Sequence, residues 1–370
     1  MANKKYENQK VELRFSKKSI DKAARNIRHG CVDADRDESI EKIQNFRELH
    51  MYPLMLMKNH LARTSNKINS SIIVARRLKR LPTIINKLER PTLDGVQDNA
   101  IKLTRMQDIG GCRAIVKNLR DLNLLHNKLK ESRSVHRVIH TANYLIPKSS
   151  GYSGIHLIYS CFHHDELDNN WKKTKIEVQL RTDLQHAWAT SLEIIDTFEK
   201  IDLKTSLTGH DDWRRFFYLA GQLVAYKETA IEVDNDTLLL YRKELSDLND
   251  KLSVETNLLR YSLAIKATTE KYSEYSVSRK MDMCLVTLVE SKAKKFLDKK
   301  LALFFDVKAF GVDQAHEALS ALNESEKDKD VILSVLLSSP DARSLKKAYP
   351  NYFGSTNGFT KFIGKQIALI

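Results

Sequence analysis

Apolar residues recur every three or four positions through the first seventy residues. Ile20, Ala23, Ala24 and Ile27 keep that spacing, as do Ile40, Ile43, Phe46 and Leu49, which predicts helices over 1–70. The pattern changes from Asp108 to about Trp188. Residues 112–116 (CRAIV) form a short apolar run after two glycines, and 155–160 (IHLIYS) is a second such run; both predict buried strands. Residues 175–181 (KIEVQLR) alternate, with Ile176, Val178 and Leu180 on one face and Glu177, Gln179 and Arg181 on the other. A strand face of Glu, Gln and Arg fits an active-site floor. Leu119–Lys130 reads as a helix between strands, and 71–90 as a helix or strand that carries cations. Helical spacing returns over 184–275, where Leu245, Leu248, Leu252 and Leu259 predict a long amphipathic helix in a hairpin. Near the C-terminus, Cys284–Val289, Ala302–Val307 and Val331–Leu337 predict strands and Val312–Leu322 a helix. The expected fold class is α/β (α+β), a mixed β-sheet core flanked by helices, then a helical connector and a small C-terminal α+β domain. The expected boundaries are 1–60 for N-terminal helices, 61–200 for the core, 201–275 for the connector and 276–370 for the last domain.

The chain has 370 residues, enough for two or three domains, with 42% hydrophobic and 29% charged residues. No apolar run approaches a membrane span, and the basic N-terminus lacks an apolar stretch behind it, so a cytoplasmic protein without membrane contact is expected. The four cysteines are far apart in sequence, which argues against a disulfide scaffold or a cysteine-ligated zinc site. A net charge of +14 should attract polyanions: nucleotides, RNA or anionic surfaces. Between Lys58 and Arg90 there are nine Lys or Arg and one acid, Glu89.

Four clusters carry candidate chemistry. Arg77, Lys79, Arg80, Thr83 and Lys87 put cations and a hydroxyl within a few turns, a set able to grip phosphates or simply to form a solvated basic face. Asp108-Ile-Gly-Gly-Cys-Arg113 sets an acid at a strand entrance, either a cap or a holder of Mg²⁺, which needs only one or two protein carboxylates. Pro147–His156 is a loop of small residues presenting the Tyr152 ring, placed to stack on a base or to lie on the surface. Glu177-Val-Gln179-Leu-Arg181-Thr182 offers a second metal ligand or a general base in Glu177.

Taken in order, R-x-K-x-x-x-T-I-x-x-K-L, D-I-x-G-x-R, P-K-x-x-G-Y-x-x-x-H and E-x-Q-x-R-T resemble the RelA/SpoT nucleotide pyrophosphokinase family over roughly residues 60–195. The resemblance implies transfer of the β,γ-pyrophosphate of ATP to a ribose hydroxyl, with ATP as substrate and Mg²⁺ as cofactor. It implies that Arg77, Lys79, Arg80, Thr83, Lys87 and Arg113 bind ATP. It implies that Asp108 and Glu177 hold the metal, that Asp108, Glu177 and Arg113 are catalytic, and that Tyr152, His156, Gln179 and Arg181 receive the acceptor. The family's usual G-Y-R-S is here Gly151-Tyr152-Ser153-Gly154, which weighs against a free guanosine nucleotide as acceptor, and Arg80 replaces a common serine.

Tyr349-Pro-Asn-Tyr352 in the C-terminal domain is similar to the Y-x-x-Y of CapRel-type fused toxin–antitoxin proteins of antiphage defence. That likeness implies an intramolecular C-terminal domain that blocks the ATP site through Tyr349 and Tyr352. It further implies a phage major capsid protein as the releasing trigger and the 3′-CCA end of tRNA as acceptor. The alternatives are a synthetase of (p)ppGpp or (p)ppApp alarmones, and an inactive nucleotide- or RNA-binding regulator.

Overall fold

The computed structural model describes residues 7–89, 102–163, 170–199, 201, 203, 209–269, 283–290, 303–311, 313–338 and 356–370. Three helices come first, α1 (Lys17–Arg28), α2 (Asp33–Leu49) and α3 (Met51–Asn66). Ser16 caps α1 by accepting from the Ser19 amide, and Ile20, Ala23, Ala24 and Ile27 form its buried stripe. The cation-rich stretch is both a strand and a helix, β1 (Ile73–Leu78) followed by α4 (Leu81–Glu89). Then come β2 (Gly110–Val116), α5 (Leu119–Glu131), β3 (Arg137–Asn143), β4 (Ile155–Ser160) and β5 (Lys175–Thr182). Four helices follow, α6 (Asp183–Phe198), α7 (Asp211–Lys227), α8 (Asn235–Leu252) and α9 (Val254–Thr269). The last elements are β6 (Met283–Glu290), β7 (Leu303–Phe310), α10 (Ala315–Lys327), β8 (Val331–Ser338) and α11 (Asn357–Ile367).

Among the described residues eight strands form one sheet, in the order β3-β4-β5-β2-β1-β8-β6-β7. Among the described strands the β2–β5 pair is parallel and the other pairs are antiparallel. The C-terminal strands therefore extend the core sheet, through a short contact of Arg76 and Arg77 with Ser338 and Leu337. On one face of the sheet Val74, Leu78, Cys112, Ala114, Leu157, Val178 and Leu285 pack with α1 to α5 and α10. On the other, Ala75 and Ile115 pack with Cys284, Val286, Leu333 and Val335. A separate apolar cluster joins α6, α7, α8, α9 and α11.

The predicted strands at 112–116, 155–160 and 175–181 are present, as are those at 284–289 and 331–337. The expected single long helix is instead two. Ser253, with φ +49°, ends α8 and starts α9 one residue later. Leu245 and Leu248 lie on the buried side of that hairpin, whereas Leu259 is 54% exposed. Helix α11 returns to the helical cluster, where Phe359 stacks on Phe217 at 6.1 Å between ring centroids. Among the described residues no helix is long and apolar enough to cross a membrane. Tyr349 and Tyr352 lie outside the described residues.

Two buried histidines give the fold a pH dependence. His50, at the α2–α3 junction, donates from Nδ1 to the Phe46 carbonyl at 2.8 Å, and burial pushes its pKa down to about 4. His136 accepts from the Phe162 amide at 3.1 Å, and burial, then His60, lowers it also to about 4. Unfolded histidine titrates near ~6.5, so between the two values the unfolded chain binds more protons. Stability is therefore full above about pH 6.5 and falls as pH drops toward about 4. His50 alone should account for a loss of about 2 kcal/mol at pH 5. Urea unfolding at pH 7.5 and pH 5 checks this: a lower midpoint at pH 5 is expected, and equal midpoints would refute it.

Candidate functional site

Strand β5 supplies the floor. Ile176, Val178 and Leu180 are fully buried in the main core, so the period of two turns Glu177, Gln179 and Arg181 to the opposite face. Register then lines up two rows across the sheet. His156, Gln179, Arg113 and Ala75 share one row, and Ile158, Glu177, Gly111 and Arg77 share the next. A Cβ built on Gly111 meets nothing within 4 Å, which leaves open space on the floor between Glu177 and Arg77.

At the entrance of β2, Asp108 receives two lysines. Lys79 Nζ lies 2.5 Å from Oδ2, and Lys87 Nζ lies 3.1 Å from Oδ1. Lys79 comes from the end of β1, where its amide donates to the Ile109 carbonyl at 2.8 Å, and Lys87 comes from the last turn of α4. Burial raises the Asp108 pKa, but Lys79 and then Lys87 outweigh it, so the carboxyl sits below the usual aspartate range. Burial also pulls Lys79 below its usual value, with Asp108 opposing. A partly buried cluster of two cations and one anion carries a net positive charge toward any phosphate that enters.

The other half of the site is a closed circuit of hydrogen bonds. His156 Nδ1 meets Glu177 Oε1 at 2.9 Å, and Gln179 Nε2 donates to Glu177 Oε2 at 2.7 Å. Arg181 donates from Nη2 to Gln179 Oε1 at 2.9 Å and from Nε to the Tyr152 hydroxyl at 3.2 Å. The Tyr152 hydroxyl closes the loop on His156 Nε2 at 2.5 Å. With Nδ1 protonated and Nε2 accepting from tyrosine, every member of the circuit is matched donor to acceptor. For Glu177, burial raises the pKa, but the hydrogen bonds from His156 and Gln179 prevail and the carboxylate is held below its usual value.

The loop before β4 sets Tyr152. Gly151 has φ +86°, a region that L side chains avoid, and a Cβ there would fall on the backbone of Phe217 and Tyr218. The Tyr152 ring lies edge-on to Tyr144, His156 and Trp188 at centroid distances of 6.1, 5.5 and 6.1 Å. The Arg181 guanidinium sits 5.1 Å from its centroid. The ring is thus built into the wall of the site. Two neighbours escaped sequence reasoning: Tyr144, and Lys148, whose Nζ lies 3.7 Å from the Tyr144 ring centroid. Lys148 stands in the loop motif itself; Tyr144 carries no local pattern.

The structure therefore brings Lys79, Lys87 and Asp108 into one cluster, and Tyr152, His156, Glu177, Gln179 and Arg181 into another. The two clusters sense each other, since the Asp108 charge raises the Glu177 pKa. Arg77 and Arg113 share the floor between them, Arg113 buried to 5% exposure. Arg80 precedes α4 and its carbonyl accepts from the Ile84 amide at 3.1 Å, while Thr83 lies in the first turn of α4. Among the described residues no group of three or more His, Cys, Asp or Glu could hold a metal. Asp108 and Glu177 are hard oxygen donors of the kind Mg²⁺ takes, and their oxygens are here engaged by Lys79, Lys87, His156 and Gln179.

Residues 76–194 match the family described as the region found in RelA / SpoT proteins. Over 115 residues the chain is 30% identical to the protein named GTP pyrophosphokinase YwaC of Bacillus subtilis (strain 168), a match over 31% of this chain and 52% of that one. The chain thus spans about half the length of this curated relative. Two solved structures are similar in part. Small alarmone synthetase 2 from Bacillus subtilis is 23% identical, with a TM-score of 0.40 over 50% of this chain and 93% of that one. Small alarmone synthetase 1 from Bacillus subtilis, bound to its product pppGpp, is 21% identical, with a TM-score of 0.37 over 49% and 91%. Lys79, Lys87, Asp108 and the whole Tyr152–Arg181 circuit fall inside residues 76–194, the segment that is similar to the region found in RelA / SpoT proteins.

Proposed function

We propose that this chain is an ATP-dependent pyrophosphokinase whose acceptor is the 3′-CCA end of tRNA. The observation that carries the transferase reading is the open floor at Gly111, with Asp108, Lys79 and Lys87 on one side and Glu177 with its circuit on the other. In this reading Lys79, Lys87 and Arg77 hold the ATP phosphates, with Arg80, Thr83 and Arg113 beside them. The acceptor hydroxyl oxygen attacks the β-phosphorus, the bond from that phosphorus to the α,β-bridging oxygen breaks, and AMP leaves. Glu177, ionised and fixed by His156 and Gln179, takes the hydroxyl proton. Asp108 and Glu177 would hold Mg²⁺, which when bound would supply charge neutralisation on the phosphates. Tyr152 and Arg181 line the acceptor side, and Tyr152 offers the acceptor base its aromatic surface.

Charge supports tRNA over a free nucleotide. Beyond the net +14, a cleft of about 440 Å³ is lined by Lys67, Lys117, Arg120 and Lys128, with Asp121 the one acid. The C-terminal domain restrains the enzyme in cis through Tyr349 and Tyr352, and a phage major capsid protein releases it, in the proposed antiphage role. The continuity of β8 with β1, next to Arg77, supports such communication. Removal of everything after residue 275 is a poor test, because it strips Phe359 from the helical cluster. Replacement of Tyr349 and Tyr352 by alanine in the full chain avoids that loss.

The test is label transfer from ATP labelled in the γ-phosphate, with Mg²⁺, to bulk tRNA and separately to GDP plus GTP, using the full chain and the double-alanine variant. Label on tRNA, stronger in the variant, is expected. Label on guanosine nucleotides alone would make the protein an alarmone synthetase. No label on any acceptor in either form would leave the inactive regulator.

A further inference from the structure

The turn that carries Lys79 is gripped from a helix more than two hundred residues away. Arg47 of α2 and Glu326 of α10 form a two-pronged ion pair, Nη1 to Oε2 at 2.7 Å and Nη2 to Oε1 at 3.0 Å, with side chains only 1% and 4% exposed. Both partners also hold backbone of the β1–α4 turn. Arg47 Nε donates to the Lys79 carbonyl at 2.8 Å, and Glu326 Oε1 accepts from the Leu81 amide at 3.1 Å. The polar groups on either side of Arg80 are thereby fixed, and the Glu326 carboxylate sits at the positive end of α4. Gln44 and Asn323 add a supporting layer: Gln44 Oε1 accepts from Arg47 at 2.9 Å, and Asn323 Nδ2 donates to Glu48 at 2.8 Å.

A buried ion pair is a weak source of stability, since apolar residues of similar size often do as well or better. What an apolar pair cannot do is hold the Lys79 carbonyl and the Leu81 amide at once. We propose that Glu326, acting through Arg47 and the Leu81 amide, is a positioning residue for ATP, and that α10 is part of the scaffold of the phosphate-binding turn. The inference rests on the reading of Lys79 as an ATP ligand. It also divides the C-terminal domain by role: α10 supports the ATP site, while the proposed restraint lies in Tyr349 and Tyr352.

Calorimetric titration with ATP and Mg²⁺ of the full chain carrying Tyr349→Ala and Tyr352→Ala, alongside KM values for ATP and for acceptor, tests it. In that chain the proposed restraint is released, and it serves as the wild-type reference at Glu326. Glu326→Ala should weaken ATP binding about tenfold and raise the KM for ATP to match, with the acceptor KM unchanged. Glu326→Gln keeps an acceptor for the Leu81 amide and should recover part of that loss. Ser320→Ala, on the exposed side of the same helix and with its side chain bonded only to Glu324, should leave ATP binding within twofold. If Glu326→Ala fails to fold, the double variant Arg47→Met with Glu326→Leu replaces the pair by apolar packing and should fold while still binding ATP about tenfold more weakly. ATP binding at the wild-type level in any folded Glu326→Ala or double variant overturns the proposal, and so does equal weakening by Ser320→Ala. Because ATP binding is read directly, absence of transfer in the wild type would count against the proposed function and leave this test intact.

Discussion

Glu177→Gln should lower transfer by about a thousandfold, the scale of a lost general base, while ATP affinity changes severalfold at most. Two consequences combine. The variant loses the anion that takes the proton, and it also breaks the donor–acceptor matching of the circuit. Both Glu177 oxygens accept, one from His156 Nδ1 and one from Gln179 Nε2. A glutamine offers one acceptor and one donor, so its amide nitrogen would face that of Gln179. Flipping Gln179 moves the conflict to Arg181 Nη2, which would then face the Gln179 amide nitrogen in place of the oxygen it bonds in the wild type. Either two donors meet, or His156 switches tautomer and the Tyr152 oxygen accepts from both His156 and Arg181, which leaves the tyrosine hydrogen without an acceptor in the ring. Each costs about 1–3 kcal/mol for an unsatisfied partly buried group. Turnover of label with saturating ATP, together with thermal melting, measures both effects. Turnover within tenfold of wild type would remove Glu177 from the proton-transfer role.

The circuit also shows what a single sequence can and cannot disclose. The alternation in β5 was legible because a strand half buried in the core must repeat every two residues, and Ile176, Val178 and Leu180 repeat without a break. The cations from Arg77 to Lys87 were legible as a cluster, but not as partners of Asp108, because the pairing spans twenty to thirty residues and depends on β1 lying beside β2. Strand β3 left no periodic signal: it is the sheet's edge, and Arg137, Ile139, His140 and Asn143 are all exposed. Helix α11 and the Arg47–Glu326 pair were invisible for a related reason. Contacts across a hundred or more residues follow from topology and imprint no local pattern. Tyr152 illustrates the remaining difficulty, since a glycine-rich loop reads as exposed until α7 is placed against it.

That placement underlies the second large effect. Gly221→Ala should destabilise the protein by about 1–3 kcal/mol, the range for overpacking, although helix propensity alone predicts a gain of up to about 1 kcal/mol. The sign separates the two causes. A Cβ on Gly221 would overlap the Cα, carbonyl carbon and oxygen of Gly151, all backbone, so no side-chain rotation can relieve it. The acceptor loop is equally unable to yield toward α7, since Gly151 already lies against the Phe217 carbonyl. Helix and loop must separate, and Tyr152, the next residue, moves with the loop. A displacement of about 1 Å at a positioned group costs on the order of a hundredfold in rate. Acceptor kcat/KM should therefore fall by about that factor, while ATP affinity holds, because Lys79, Lys87 and Asp108 do not touch this loop. Gly364→Ala in α11 is the control: its nearest neighbour is the flexible end of Glu255, at 3.2 Å, so helix propensity should win and stability should rise slightly. Denaturant unfolding of both variants with acceptor kinetics decides the matter, and a stabilised Gly221→Ala with normal acceptor use would show that α7 does not set the loop.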